Sequence, residues 1–448
     1  MLEILSTFAF GHIGDIEVTI LGISERCLKF SYSANLEKKY FQIQLELYNP
    51  EEMKYEHLSI QVERIRHIKK LFENEYTVLI QEISNDALYV KILKLYENII
   101  CKRNKNHELQ KLTSYDEIYR LYPAYPYEKD RYKYHNYDEM LVEWFFNEKY
   151  SDEYVKRFNQ LTYDVEFALF INNDADYNKV LSCNIEEFCK QKYKKNMLQN
   201  HPISQRKVTR YYVGNEYCPN LFPKRTVFEK ILNILLEQKC NITICYPFLQ
   251  ESRLEEVDAI FDSIDKVVNK EVNVEFVIND WGMLHYIKNK KINITPILGH
   301  LLNKRKKDPR ILYWVGYDST HNNNKVNGVN VNNNIDFLNE MDLKRFEFED
   351  YSQLIQIPKG NHSIYTPYFQ INTSTFCNLY ADVKNKVSNN VLECPQYCEK
   401  IYYSYPQHLK MIGLGNSILG YNADSVLFNL DRLEYYVSHN IDRIVLTI

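Results

Sequence analysis

The sequence predicts an α/β protein with a small N-terminal β-barrel over residues 1–100, a helical middle region over 101–203, and a C-terminal TIM-barrel-like (β/α) domain over 204–448. Three observations carry this reading. Short segments of alternating or β-branched character crowd the first hundred residues, polar helical spacing fills the next hundred, and strands then alternate regularly with amphipathic helices.

In the first region the candidate strands are Ile16–Ile20, Cys27–Phe30, Phe41–Leu47, Leu58–Arg64 and Tyr76–Ile83, separated by polar turns, with a closing helix over Leu88–Asn98. In the second, Tyr137–Glu148 places Met140, Leu141, Trp144 and Phe145 at helical spacing. Ser151 then offers an N-cap with Asp152 and Glu153 in the first turn, where they complement the helix dipole. Asn184 caps a further helix carrying Phe188. Tyr122–Tyr127, with prolines at 123 and 126, reads as an extended connection.

From Lys207–Val213 the pattern becomes strand, helix, strand. Thr226 with Glu229, and Ser252 with Glu255, have the spacing of capping boxes opening apolar helices. Asn241–Cys245, Val272–Ile278 and Ile292–Ile297 read as further strands, with a short helix over Met283–Lys288. Successive β–α–β passages imply parallel strands with right-handed crossovers. The span from 204 to 448 matches the usual length of such a barrel, about 250 residues. The Asn-rich segment His321–Asn334 reads as an insertion without an assigned role.

Composition bounds the function classes. The chain has 448 residues, 45% of them hydrophobic and 25% charged, so it has enough apolar surface to offset the entropy of ordering. A formal net charge of -4 argues against a nucleic-acid or membrane-surface binder. The N-terminal stretch has no positive n-region, and no run approaches the ~20 apolar residues of a spanning helix. The expected compartment is the cytoplasm. Ten cysteines there point to metal ligation or burial and away from a disulfide framework.

Parallel barrels carry function at the C-terminal ends of their strands. Cys218 falls just after the strand ending at Val213, Asn279 and Asp280 follow the strand ending at Ile278, and Cys377 follows a candidate strand over Tyr365–Ile371. Cys394 and Cys398 come next with C-x3-C spacing. Four thiolates suit an iron–sulfur cluster or a structural zinc. Each is also a residue type commonly buried as an inert core group. Cys245, at a strand end, is the substitute ligand should one of the four not serve, and Cys183 and Cys189 read as small core residues. Asp280 is the candidate acid/base with Asn279 in support; its other reading is a strand-end cap. Lys304, Arg305, Lys306, Lys307 and Arg310 form a basic run that serves either as a solvated face or as a site for an anion. His285 and His408 stand alone.

Several segments together resemble the U32 peptidase-like family. Tyr211–Cys218 is similar to the V-Y-x-G-E-x-x-C segment that carries the first cluster cysteine in the branch acting in oxygen-independent ubiquinone biosynthesis. Glu275–Gly282 resembles a V-N-D-x-G segment, Leu298–Asn303 a G-R-L-L-x segment, and Cys377, Cys394 and Cys398 the late cysteine set. The resemblance implies a [4Fe–4S] cluster held by these four cysteines, and a role as an enzyme or enzyme subunit in oxygen-independent hydroxylation or a related modification, with an unknown substrate and a possible protein partner in a hetero-oligomer. The E-x-F-x-x-G-[SA]-x-C run of the collagenase-like members is absent, which argues against peptidase activity. Order and spacing of the N-terminal strands resemble a PilZ domain, with Ser24 in Gly22–Cys27 matching the serine of its D-x-S-x-x-G motif; the Asp and Gly are replaced and the upstream R-x-x-x-R is missing. That resemblance implies a regulatory or adaptor alternative that binds a cyclic dinucleotide or a protein.

Overall fold

The computed structural model describes residues 8–14, 16–32, 35–69, 74–108, 133–135, 150–267, 274–290, 294–305, 326–351, 353–384, 394–399, 402–404 and 409–448, with Lys307 and Gly316. The helix expected over Tyr137–Glu148, the Tyr122–Tyr127 connection, Lys306, Arg310, His408 and residues 321–325 lie outside these. The chain divides into two compact units, Met1–Arg131 with Asp308–Lys325, and Tyr132–Lys307 with Val326–Ile448.

In the first unit, β1 (Ala9–Ile13), β2 (Ile16–Ile23), β3 (Cys27–Tyr32), β4 (Tyr40–Asn49), β5 (Lys54–Lys69) and β6 (Asn74–Ile83) close into an antiparallel barrel of order β1-β2-β3-β6-β5-β4. β1 escaped the sequence reading because Gly11 and His12 interrupt its apolar character. The glycine is needed: a Cβ there would stand 2.8 Å from Val18 and 2.9 Å from Ile20. Helix α1 (Asp86–Glu108) covers the barrel with Tyr89, Ile92, Leu93 and Tyr96, which share one face at helical spacing and are all buried. The Tyr96 hydroxyl reaches the carbonyls of Phe8, at 2.6 Å, and Tyr48, at 2.8 Å, so its burial leaves no polar group unsatisfied. Ser24 is taken up by the turn between β2 and β3, where its Oγ donates to the Cys27 carbonyl and accepts from the Cys27 N–H, both at 3.1 Å.

The second unit opens with β7 (Lys133–His135), α2 (Asp152–Leu161), β8 (Glu166–Ile171), α3 (Asp174–Ser182) and α4 (Ile185–Lys195). Ser151 and Asn184 accept from Tyr154 N and Glu187 N and cap α2 and α4. There follow β9 (Arg210–Gly214), α5 (Arg225–Glu237), β10 (Asn241–Cys245), α6 (Leu254–Val267), β11 (Val274–Ile278), α7 (Trp281–Lys290), β12 (Ile294–Leu298), α8 (Asn332–Glu340), β13 (Glu347–Glu349) and β14 (His362–Thr366). β15 (Tyr368–Thr373), α9 (Asn378–Lys384), β16 (Tyr402–Ser404), β17 (Met411–Leu414), β18 (Ser417–Tyr421), α10 (Leu430–Ser438) and β19 (Ile441–Leu446) complete it.

Eight strands form one parallel sheet of order β12-β11-β10-β9-β8-β19-β14-β13. At the seam, a parallel bridge joins Leu298 to Phe346, and Leu298 N donates to Arg345 O at 3.0 Å. The sheet is thus nearly closed, with its strands in chain order, an arrangement compatible with a TIM-like domain. Five further strands, β15-β18-β17-β16-β7, make a separate antiparallel sheet, four of them inserted between β14 and β19.

Several expectations are corrected here. The barrel starts earlier than Ser204: its first strand, β8, comes from the segment read as a helical middle region, because the six apolar-rich residues Glu166–Ile171 are hidden between polar helices. The strand expected over Tyr365–Ile371 is split at Pro367 into β14 and β15, which belong to different sheets. Neither capping box forms. Helix α5 begins one residue before Thr226, behind Lys224, and Ser252 lies inside a 3-10 turn that precedes α6. Part of the Asn-rich insertion, Asn332–Asn334, opens helix α8.

Strand alternation divides the side chains of this sheet into two sets. Outward residues such as Leu169, Val213, Ile244, Phe276 and Ile364 join the large apolar cluster beneath the helices. Inward residues Ala168, Phe170, Tyr212, Cys245, Val277, Ile297, Tyr365 and Val445 form a second, compact cluster that fills the barrel. Cys245 is therefore a filler of the barrel interior.

Candidate functional site

The strand ends gather chemistry at the C-terminal mouth of the barrel. Gly214, at φ +108°, lets β9 turn sharply: a Cβ there would lie 2.2 Å from the Cys245 carbonyl oxygen. The turn continues through Asn215, whose Oδ1 accepts from the N–H groups of Tyr217 and Cys218, each at 2.9 Å. Two side-chain amides then stitch the cysteine-bearing segments together. Asn416 Nδ2 donates to Tyr217 O at 2.7 Å and to Ser374 O at 2.9 Å, and Gln396 Nε2 donates to Asn220 O at 3.1 Å. Gly415 abuts the last cysteine, where an added Cβ would sit 3.7 Å from the Cys398 Sγ.

The result brings Cys218, Cys377, Cys394 and Cys398 near one another. Burial, then the Cys394 and Cys377 thiols, push Cys218 up to about 11. Burial and the Cys394 thiol also raise Cys377, and burial with all three other thiols raises Cys398. Backbone N–H groups point at the sulfurs as well: Tyr380 N lies 3.3 Å from Cys377 Sγ and Gln396 N 3.4 Å from Cys394 Sγ. Among the described residues, no group of three or more His, Cys, Asp or Glu side chains could hold a metal ion as placed. Cys218, Cys377, Cys394 and Cys398 are all free of disulfides.

A second set of residues lies deeper in the same mouth, and the sequence reading passed over its acids. Glu216 is buried; its Oε1 accepts from Tyr365 OH at 3.2 Å and Asn279 Nδ2 at 3.5 Å, and its Oε2 lies 3.7 Å from His300 Nδ1. Burial, reinforced by Glu347, raises the Glu216 carboxyl well above the carboxylate range. Burial lowers His300 to about 4, and its Nε2 meets Tyr217 OH at 3.3 Å. Burial works against ionisation of Glu349 too, but the Lys307 ammonium bonded to it outweighs that and holds it below the usual range. Gln370 N also donates to Glu349. A pocket of about 320 Å³ opens here, lined by Asn279, His300, Lys304, Arg305, Lys307 and Gln370, and extending to Thr375, two residues before Cys377.

The other sequence candidates fall as follows. Asp280 is used as a cap: Oδ2 accepts from Leu249 N at 2.8 Å and Oδ1 from Met283 N at 3.0 Å, at the start of α7. Asn279 does line the pocket, and its partner is Glu216 instead of Asp280. Cys189 is buried against Tyr211 OH at 3.2 Å, and Cys183 closes α3. His285 is exposed and pairs with Asn289. The signal for Glu216, Glu347 and Glu349 was available in principle, since acids on the inward positions of a parallel barrel cannot be solvated. Reading it required knowing that Glu347–Glu349 is a strand.

Among the described residues no helix is long and apolar enough to cross a membrane. No family model matches the chain, and no curated protein matches it. Among solved structures, an uncharacterized Legionella protein matches with 14% identity and a TM-score of 0.16, over 24% of this chain and 95% of that one.

Proposed function

We propose that this chain is a U32-like iron–sulfur protein, a modifying enzyme or enzyme subunit, in which Cys218, Cys377, Cys394 and Cys398 hold a [4Fe–4S] cluster at the barrel mouth. The observation that supports this reading is the set of amide contacts tying the cysteine-bearing segments together, Asn416 to Tyr217 and Ser374, and Gln396 to Asn220. Buried thiols with raised pKa values are protonated alone and become thiolates only against a cationic partner. N–H groups aimed at the sulfurs are the kind of contact that tunes a cluster.

When bound, such a cluster supplies one-electron chemistry. The chain's own residues define the space beside it. Glu216, raised by burial, and His300, lowered by it, face each other 3.7 Å apart, and His300 lines the pocket. Tyr217, next in sequence to Cys218, orients the imidazole. Substrate and modification are left unnamed by these residues, and the missing collagenase-type run removes the basis for a peptidase.

Anaerobic purification tests the proposal. Absorbance near about 400 nm, with iron and sulfide in equal amounts, is expected. Cys394→Ser/Cys398→Ser should lose the iron, whereas Cys245→Ser should keep it. A colourless wild-type protein free of iron would sink the reading; the same protein loaded with zinc would replace the cluster by a structural metal.

A further inference from the structure

We propose that the pocket at the barrel mouth is a binding site for a small anion bearing carboxylate or phosphate groups, with Lys304 and Arg305 as the residues that pair with its charge. The argument is one of charge accounting in a confined place. Four cations stand in this neighbourhood: Lys304, Arg305, Lys307 and Arg432. Two carboxylates answer them. Glu349 is bonded to Lys307, and Asp350 Oδ1 accepts from Arg432 Nε at 2.6 Å. Asp424, 3.9 Å from Arg432, is largely exposed. Among the described residues, no carboxylate is paired with Lys304 or Arg305.

Arg305 is the unusual member. Its guanidinium stacks on the Tyr351 ring, 4.7 Å from the centroid, and all three of its nitrogens are shut off from solvent with no hydrogen-bond partner among the described residues. A buried guanidinium without an acceptor is costly, and proteins keep such groups where something else completes them. A guanidinium is also the side chain best shaped to meet a carboxylate or phosphate by two parallel bonds. The remaining lining is polar: Gln370 and Asn279 present side-chain amides and burial lowers His300 to about 4. At about 320 Å³ the pocket suits a compact metabolite-sized ligand and no polymer.

This inference does not rest on the cluster, so the two can fail separately. Calorimetric titration of the full chain, with and without bound iron, uses inorganic phosphate and malonate as probes. Saturable binding of either is expected. Phosphate alone identifies a phosphorylated ligand, and malonate alone a carboxylate. Arg305→Met should weaken binding about tenfold or more while leaving the melting temperature of the anion-free protein unchanged or higher, because it removes an uncompensated charge. Lys304→Glu, at an exposed position that folding tolerates, should weaken it to a similar degree, and Arg225→Ala on α5 should leave it unchanged. Failure of both probes to bind saturably overturns the proposal. So does an Arg305→Met or Lys304→Glu chain that binds like wild type.

Discussion

The two ends of the parallel barrel handle charge in opposite ways. At the end where the strands begin, Arg210, Arg345 and Arg443 are all matched by carboxylates. Arg443 grips Glu275 with two bonds, of 2.7 Å and 3.0 Å, reaches Glu166 at 2.7 Å, and donates to Tyr212 OH at 3.0 Å. Arg210 bonds Glu166 and Thr243, and Arg345 forks onto Asp442 at 2.7 Å and 2.8 Å. Burial alone would raise Glu275, but Arg443, Arg210 and Arg345 outweigh it and hold the carboxyl below the usual range. At the mouth, Arg305, His300 and Asn279 carry atoms without a hydrogen-bond partner among the described residues, and burial raises the Glu216 carboxyl. One end is built to be satisfied by the chain itself. The other keeps groups that only a ligand would satisfy, which is how barrels of this kind divide stability from function.

Breaking the satisfied end should cost most. Glu275→Gln leaves Arg443 buried without its forked partner, and a loss of about 3–5 kcal/mol in denaturant unfolding is expected. The iron content per folded molecule should be unchanged. A loss no larger than that of a surface variant would show that the network is not holding the barrel.

Acid should probe both ends at once. Burial lowers His300 at the mouth and His362 at the start of β14 to about 4. The unfolded imidazoles take up protons near their ordinary 6.5, before the folded ones do. Stability from these groups is therefore fully present above about 6.5 and lost as pH falls toward about 4, each group contributing up to about 3 kcal/mol. Urea unfolding at several pH values should show His362→Gln and His300→Gln each flattening that slope. Only His300→Gln should also change anion binding.

Glu347, between the two ends, has the opposite sign. Burial raises its carboxyl to about 7, so the folded chain binds the extra proton between about 4.5 and 7, and stability from this group is lost as pH rises through that window. Glu347→Gln, which can still accept from Tyr212 OH, should be more stable than wild type by about 3 kcal/mol at pH 8 and equal to it at pH 4. At the small end of the scale, Arg157→Ala removes an exposed pair with Asp431 and Glu434 and should leave the melting temperature unmoved.

The legible parts of the fold were those with local signals. Ser151 and Asn184 read as caps because capping is a matter of adjacent residues, and β9 to β12 read as strands because apolar runs alternate there with helices of one apolar face. Illegible parts depended on distant partners. β8 looked like an interruption in a helical stretch until β9 and β19 were found on either side of it, and Pro367 looked like part of a strand until its two halves joined different sheets. The site divides likewise. The four cysteines could be singled out by residue type. Glu216 and His300 could not, since an acid or an imidazole acquires its protonation state from what buries it. Asp280 was drawn toward chemistry by its strand-end position, and the two backbone N–H groups it accepts from are contacts no sequence pattern displays.

The position of β19 has a kinetic consequence. It lies between β8 and β14 in the middle of the sheet, and its Arg443 is paired with Glu166, 277 positions away in the chain. Until it is placed, β8 and β14 each present a bare apolar edge. Loop closure over that distance is slow, and exposed strand edges associate with those of other chains. Refolding of this unit should accordingly be governed by a single late docking event, with yields that fall as protein concentration rises.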